Sequence, residues 1–140
     1  MNRGPLLSRF SFVGLITLVS FLGCGSDPLA GLGTPLTVSG TVTMDGKPAG
    51  NVEVMFARVD TKAPGEVRNI AGKTDASGKY TLETVYPADY KIMIKDLVEK
   101  DPENFSAVDV GPYVKYGMES PLTATVAEGK LEHNFELKSK

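Results

Sequence analysis

Short runs of alternating apolar and polar residues fill the chain from residue 37 onward, and this pattern restricts the fold more than any other feature. In the clearest run, Tyr90, Ile92 and Ile94 alternate with lysine and methionine. Residues 38–43 alternate in the same way. A period of two is typical of a half-buried β-strand. Because no segment of useful length has a helical period, the sequence predicts an all-β domain.

Clusters of glycine, aspartate and proline separate these runs. Asp45-Gly46 and residues 75–78 (DASG) are typical of tight turns, since Asp and Gly tolerate the backbone angles that such turns need. Further strands are expected at residues 51–59, 67–74, 79–83, 122–126 and 131–137. Seven short strands with turn residues between them predict an antiparallel β-sandwich of the Greek-key type.

The N-terminal residues have the composition of a secretory signal peptide. Arg3 and Arg9 supply positive charge, and residues 10–22 are almost wholly apolar. A run of roughly 13 residues is too short for a membrane-spanning helix, which needs about 20. The run ends in SFLGC at residues 20–24, and its Leu-Gly-Cys closely resembles the bacterial lipobox. The resemblance implies that Cys24 is diacylated on its sulfur and becomes the first residue of the mature protein.

Cys24 is the only cysteine in the chain, so it has no disulfide partner. An ordinary signal peptide that contains a cysteine is the alternative, but it would leave a reactive free thiol. Each buried methylene is worth about 0.8 kcal/mol, so two or three acyl chains on Cys24 would anchor the protein stably. The predicted partner is therefore a membrane, bound through diacylglyceryl and acyl lipid on Cys24.

The predicted location is the cell envelope. Gly25 follows the cysteine directly, whereas an aspartate at that position often signals retention in the inner membrane of bacteria that have two. By resemblance to these sorting rules, Gly25 favours the outer membrane in such a cell.

The sequence divides into three parts. Residues 1–23 form the predicted lipoprotein signal peptide, and residues 24–35 combine the lipidated cysteine with a flexible, Gly- and Pro-rich tether. Residues 36–140 form the sandwich domain. Without Arg3 and Arg9, 13 basic residues remain against 17 acidic ones, and a mildly acidic domain has no electrostatic reason to bind nucleic acid.

Several segments resemble the carboxypeptidase regulatory-like domains. Residues 38–48 (VSGTVTMDGKP) and 52–56 (VEVMF) are similar to the opening of that domain. Residues 75–82 (DASGKYTL) resemble its Asp-x-x-Gly-x-Tyr turn, and residues 87–92 (PADYKI) resemble its Pro-x-x-Tyr segment. Residues 115–116 and 120–137 are similar to the C-terminal ends of small planctomycete lipoproteins built on this domain. The resemblance implies a transthyretin-like (prealbumin-like) sandwich of seven strands, in a family of mostly non-catalytic accessory or surface modules.

His133 is the only histidine, which excludes metal sites built on two histidines. A Ser-His-Asp triad would need this histidine in a cleft. The strand register instead places it between Leu131 and Phe135 on the apolar face, so we expect a histidine in the core or at a sheet edge. The sequence thus predicts no catalytic residue, no metal site and no cofactor.

Residues 96–120 form a long stretch without sustained periodicity, and such stretches often carry binding residues. Phe105, Tyr113 and Tyr116 are candidates for an aromatic platform that binds a sugar or another small ligand. Packing of this loop onto the sandwich is the alternative, and it is the one that we favour for these aromatic residues. The predicted function is a non-catalytic, lipid-anchored envelope domain with a structural or protein-interaction role, and the alternative is a small-ligand or glycan-binding module that uses these aromatic residues.

Overall fold

The computed structural model describes residues 27–97 and 111–140. The predicted signal peptide, Cys24 and Phe105 lie outside the described residues. Within the described ranges there are eight strands: β1 (Leu36–Met44), β2 (Lys47–Pro48), β3 (Val52–Arg58), β4 (Asn69–Lys73), β5 (Lys79–Val85), β6 (Ala88–Asp96), β7 (Thr123–Val126) and β8 (Phe135–Leu137). Two short 3-10 helices span Gly65–Val67 and Val114–Tyr116. Among the residues that the structure describes, no helix has the length and apolar character needed to span a membrane.

The strands form two sheets that pack as a sandwich, which confirms the predicted all-β fold. In the first sheet, β1 pairs with β2, β5 and β8. The second sheet has the order β4-β3-β6-β7, and all its pairs are antiparallel. The chain changes sheet between β2 and β3, between β4 and β5, between β5 and β6, and between β7 and β8. Strands that are distant in sequence therefore pair, as Greek-key connectivity requires.

Two details differ from the prediction of seven antiparallel strands. The Asp45-Gly46 turn leads into β2, a two-residue strand that pairs back onto the end of β1. The last strand, β8, runs parallel to β1, with Val42 beside Phe135 and Met44 beside Leu137. Alternation predicts which face of a strand is buried but carries no information on its neighbour's direction, so the parallel pair could not be predicted from the pattern.

The alternating residues of both sheets meet in one core, the main core. Phe56 on β3 lies at its centre, with its ring centroid 5.6 Å from that of Tyr90, 6.1 Å from that of Tyr80 and 6.2 Å from that of Phe135. The other fully buried side chains of this core include Val38, Val42, Val52, Val54, Val85, Ile92, Ile94, Val126 and Leu137. Burying each such side chain contributes roughly 1.5–3 kcal/mol, so the main core is the principal source of stability.

Gly40 on β1 permits the close approach of the segment that precedes β8. A Cβ atom at this position would lie 1.8 Å from the backbone oxygen of His133. The Tyr80 hydroxyl donates a hydrogen bond of 2.6 Å to the same oxygen. The absence of a side chain at Gly40 therefore lets the final segment join the first sheet.

The sandwich has two ends, which we call the base and the far end. The base contains residues 27–35, 58–68 and 85–88, since β1 starts there beside Val85. The far end contains the Asp45 turn, residues 94–97 and 111–119, and the residues that follow β8.

Candidate functional site

Two adjoining grooves lie at the far end, where residues 111–119 pack beside the end of β6 and the C-terminal residues. The larger has a volume of about 530 Å³ and is lined by Gly111, Pro112, Val114, Lys115, Met118, Glu119 and Ser139. The second, of about 370 Å³, shares Gly111, Val114 and Met118 with it and adds residues of β6. The Met118 side chain is 83% exposed and that of Val114 is 48% exposed. Met118 and Val114 therefore give these grooves a solvent-facing apolar surface, beside the charged Lys115 and Glu119.

Backbone hydrogen bonds and one lysine give residues 113–120 a defined conformation. The Tyr116 amide donates to the Tyr113 carbonyl at 2.8 Å, and the Ser120 amide donates to the Gly117 carbonyl at 3.0 Å. The Lys91 ammonium, on β6, donates to the Met118 carbonyl at 2.6 Å. These bonds hold the exposed Met118 against the second sheet.

Tyr116, one of the three candidate ligand-binding aromatics, is buried in the main core. Its hydroxyl accepts a 2.8 Å hydrogen bond from the Lys138 amide and lies 3.2 Å from the Lys138 carbonyl, to which it donates. The Lys115 ammonium lies 5.2 Å from the centre of the Tyr116 ring. Tyr116 thus fixes the residues that follow β8 and does not offer a ring face to solvent.

Tyr113 is half-buried, packs against the main core and lines the second groove. Burial, with a smaller contribution from the negative charge of Asp96, raises the pKa of its hydroxyl. The structure therefore places Tyr113 at the second groove and buries Tyr116 in the main core. The third candidate, Phe105, lies outside the described residues, and so does Cys24, the predicted lipidation site.

Asp45 ties the C-terminal residues to the turn after β1. Its carboxylate accepts a 3.1 Å hydrogen bond from the Ser139 amide, and hydrogen bonding to Ser139 lowers the pKa of Asp45. Asp45 itself adopts a positive φ of 50°, which aspartate tolerates in turns. One wall of the larger groove is therefore positioned by Asp45 and Tyr116 together.

His133 is buried, as predicted. Its backbone amide donates to the Ser39 carbonyl at 2.9 Å, and its ring Nε2 lies 3.2 Å from the Lys130 carbonyl. The ring meets Phe56 edge-on, with 6.2 Å between centroids. The contacts with Ser39 and Phe56 connect the segment before β8 to the rest of the sandwich, and the contact with Lys130 lies within that segment.

The Asp75 turn has the geometry that the sequence predicts. The Asp75 carboxylate accepts hydrogen bonds from the Ser77 amide at 2.8 Å, the Ser77 hydroxyl at 2.6 Å and the Lys79 amide at 3.0 Å. Hydrogen bonding to Ser77 and then to Lys79 lowers the pKa of Asp75. Across residues 27–97 and 111–140, no three His, Cys, Asp or Glu residues lie close enough together to hold a metal ion.

A second apolar cluster lies at the base and was not predicted. Ala63, Val67 and Tyr86 are buried there, and Leu29 and Leu32 pack against them. Both leucines belong to the stretch that the sequence predicts to be a flexible tether, so part of that stretch packs onto the domain. These five residues come from three separate loops, and no periodic pattern connects them.

Arg58 ends the alternating series of β3 that buries Val52, Val54 and Phe56. Its Nε and Nη1 atoms are buried without a hydrogen-bond partner among the described residues. Its charge lies beside the Tyr90 hydroxyl, where burial raises the pKa of Tyr90 and Arg58 partly opposes that shift. Continuing the alternation by one more step to Arg58 would have found this residue.

No model of a known protein family matches the chain, and no curated protein matches it. Among solved structures it is similar to the dioxygenase domain of a dioxygenase carbohydrate-binding protein fusion from the cellulolytic bacterium Streptomyces sp. SirexAA-E. The identity is 20% and the TM-score 0.41, over 76% of this chain and 79% of that one. It is also similar to the major pilin subunit of Bacillus cereus, with 11% identity and a TM-score of 0.41, over 73% of this chain and 29% of the pilin chain. Neither similarity carries an argument about function.

Proposed function

We propose that this protein is a non-catalytic β-sandwich domain anchored by lipid on Cys24 in a bacterial cell envelope, where it has a structural or protein-contact role. The observation that carries the proposal is Leu-Gly-Cys at residues 22–24, placed directly after a charged and apolar signal segment. The β-sandwich begins at Leu36, soon after that cysteine. The proposal includes kinship with the carboxypeptidase regulatory-like domains, which rests on the sequence segments that resemble them.

The absence of catalysis is part of the proposal and is supported by where the side chains lie. His133 is buried against Phe56, away from any groove described above. The carboxylates of Asp45 and Asp75 hold turns through hydrogen bonds to neighbouring residues. A general acid and base would need to converge on a substrate, and these three groups lie apart in structural positions.

A contact role is supported by two kinds of surface. Strands β4 and β7 are the edges of the second sheet, and within the described residues each pairs on one side alone. Unpaired edge groups can accept a strand from another chain. The far-end grooves add the exposed Met118 and Val114. The alternative function, binding of glycans or small ligands, would use Tyr113 at the second groove.

The anchoring claim is tested with the full chain expressed in a bacterium, comparing wild type, Cys24→Ala and the matched control Ser26→Ala. Wild type and Ser26→Ala are expected to lose residues 1–23, gain acyl mass and partition into the detergent phase. Cys24→Ala should keep its signal segment or appear in the aqueous phase. Intact-mass spectrometry and detergent partition measure both properties. A Cys24→Ala variant that is still cleaved after Gly23 and membrane-bound would contradict the proposal.

The location and the ligand are tested separately. Density-gradient separation of membranes from a two-membrane host should place wild type with the outer membrane, and Gly25→Asp should shift it toward the inner one.

Calorimetric screening of glycans against wild type and Tyr113→Ala decides the alternative function. Binding that is lost in Tyr113→Ala would favour it over a pure contact role.

A further inference from the structure

The second apolar cluster fastens the N-terminal segment to the base. Leu29 and Leu32 pack against Ala63, Val67 and Tyr86, which are all buried. Within the segment, the Asp27 carboxylate accepts a 2.9 Å hydrogen bond from the Leu29 amide, and the Leu32 amide donates to the Leu29 carbonyl at 2.9 Å. Near the end of the segment, a Cβ placed on Gly33 would be 3.5 Å from the Pro87 ring. From Asp27 onward, the chain is therefore attached to the base.

We infer that this attachment makes the base the membrane-proximal end of the domain and turns the far-end grooves away from the lipid. The inference rests on the proposed lipidation of Cys24 and deepens it by naming the surface that faces the bilayer. The partner that this end of the sandwich faces is thus the surface of a lipid bilayer.

Chain length sets how far the base can stand from the membrane. Three residue steps separate Cys24 from Asp27, and at no more than about 3.6 Å each they span at most ~11 Å. A free tether of twelve residues would instead have an average end-to-end distance of ~20 Å and a much larger maximum. Docking of Leu29 and Leu32 removes most of that freedom.

The length of the sandwich separates its two ends. Strand β6 has nine residues and runs from the base to the far end, which at about 3.3 Å per residue is ~30 Å. With Asp27 no more than ~11 Å from the lipidated Cys24, the far-end grooves lie several nanometres from the membrane when the strands stand upright.

The base also carries one exposed large apolar side chain among the described residues. Val59 directly follows β3 and is 60% exposed, and its amide is fixed by a 3.0 Å hydrogen bond to the Asp89 carbonyl. An exposed valine beside the point of attachment gains by contact with the interfacial region of a bilayer. The charges of the base balance, since Arg58, Lys62 and Arg68 stand against Asp27, Asp60 and Glu66, so net charge does not repel this surface from anionic lipid.

The test uses purified, lipidated full-length protein in vesicles that contain lipids spin-labelled at the headgroup. Acylation of Cys24 leaves an introduced cysteine as the only free thiol for a fluorescent probe. Lys62→Cys places the probe at the base, and Lys47→Cys places it at the far end, both at exposed positions. We expect at least threefold stronger quenching at residue 62 than at residue 47. Equal quenching at the two sites would overturn the inference, because it would indicate a domain that lies on its side or moves freely.

A second pair of samples isolates the role of the docked leucines. Leu29→Ser combined with Leu32→Ser should reduce the difference in quenching between the two probe positions, while circular dichroism retains its β-signal. A difference that persists unchanged in this variant would contradict the role given to the second cluster. Intact mass is measured on every sample. A missing acyl mass on Cys24 would overturn the proposed anchoring itself, whereas acylated protein with equal quenching overturns the orientation alone.

Discussion

The main core and the second cluster stabilise the same domain but are built from different kinds of sequence. The main core joins strands, so its members recur every second residue, and Phe56 makes ring contacts with both sheets. The second cluster joins loops, and its members come from residues 29–32, 63–67 and 86. Regular backbone imposes a pattern on the residues that it buries, and irregular backbone does not. A periodicity argument therefore finds the first cluster and misses the second.

The largest effect is expected where the final segment joins the main core. Gly40→Ala would place a Cβ atom 1.8 Å from the His133 carbonyl oxygen, and backbone atoms cannot yield there without displacing the segment before β8. We expect a loss of more than about 3 kcal/mol or failure to fold. Gly31→Ala is the control, since nothing lies within 4 Å of its Cβ position. Urea unfolding of residues 25–140 measures both, and similar midpoints would contradict the packing described here.

Truncation of one side chain in each cluster compares them directly. Phe56→Ala should cost about 3–5 kcal/mol, because it removes a fully buried ring from between the sheets. Leu32→Ala should cost about 1 kcal/mol, since Leu32 is half-buried and packs at the edge of the second cluster. The same unfolding experiment gives both values. A Leu32→Ala cost equal to that of Phe56→Ala would mean that the two clusters form a single core.

Two arginines at the base should respond to the same substitution with opposite signs. Arg58 buries Nε and Nη1 without hydrogen-bond partners in the described residues, so Arg58→Met should leave stability unchanged or raise it by about 1 kcal/mol. The Arg68 guanidinium donates to the Ala63 carbonyl at 2.7 Å and to the Thr61 carbonyl, so Arg68→Met should lower stability by about 1 kcal/mol. Thermal unfolding measures the pair. Equal losses in both variants would show that the contact of Arg58 with the Tyr90 hydroxyl outweighs the cost of burying Nε and Nη1.

The smallest expected effect is a dependence of stability on pH. The second cluster is apolar, so its contribution to stability should not depend on pH. Hydrogen bonds from Ser77 and Lys79 lower the pKa of Asp75 in the folded state below its ordinary value of 3.8. The contribution of Asp75 to the free energy of unfolding is therefore complete above about pH 4 and is lost as the pH falls through the lowered pKa. Asp75→Asn should unfold more easily than wild type at pH 6, and the difference should shrink toward pH 2. The cost of Leu32→Ala should stay constant over the same range, and a constant cost for Asp75→Asn would contradict the assignment.

Most of the fold follows from the sequence, because period-two alternation and Asp-Gly turns act locally. The buried His133 follows too, since it belongs to a predicted apolar face. The position of Tyr116 does not follow, because its hydroxyl bonds to Lys138, 22 residues away, and no local pattern encodes that pairing. The parallel direction of β8 and the closeness of Gly40 to His133 depend in the same way on contacts between distant residues.

The parallel pairing of β1 with β8 has a mechanical consequence. For a chain held at Cys24, tension from the membrane enters β1 at the base, whereas tension from anything attached beyond β8 enters at the far end. The two strands are then pulled in opposite directions along their length, so the hydrogen bonds between them and the bridge from Ser39 to Glu132 bear the load together in shear. Force spectroscopy between residues 24 and 140 should therefore give a single high unfolding peak, whereas stepwise peeling of strands at low force would contradict this geometry.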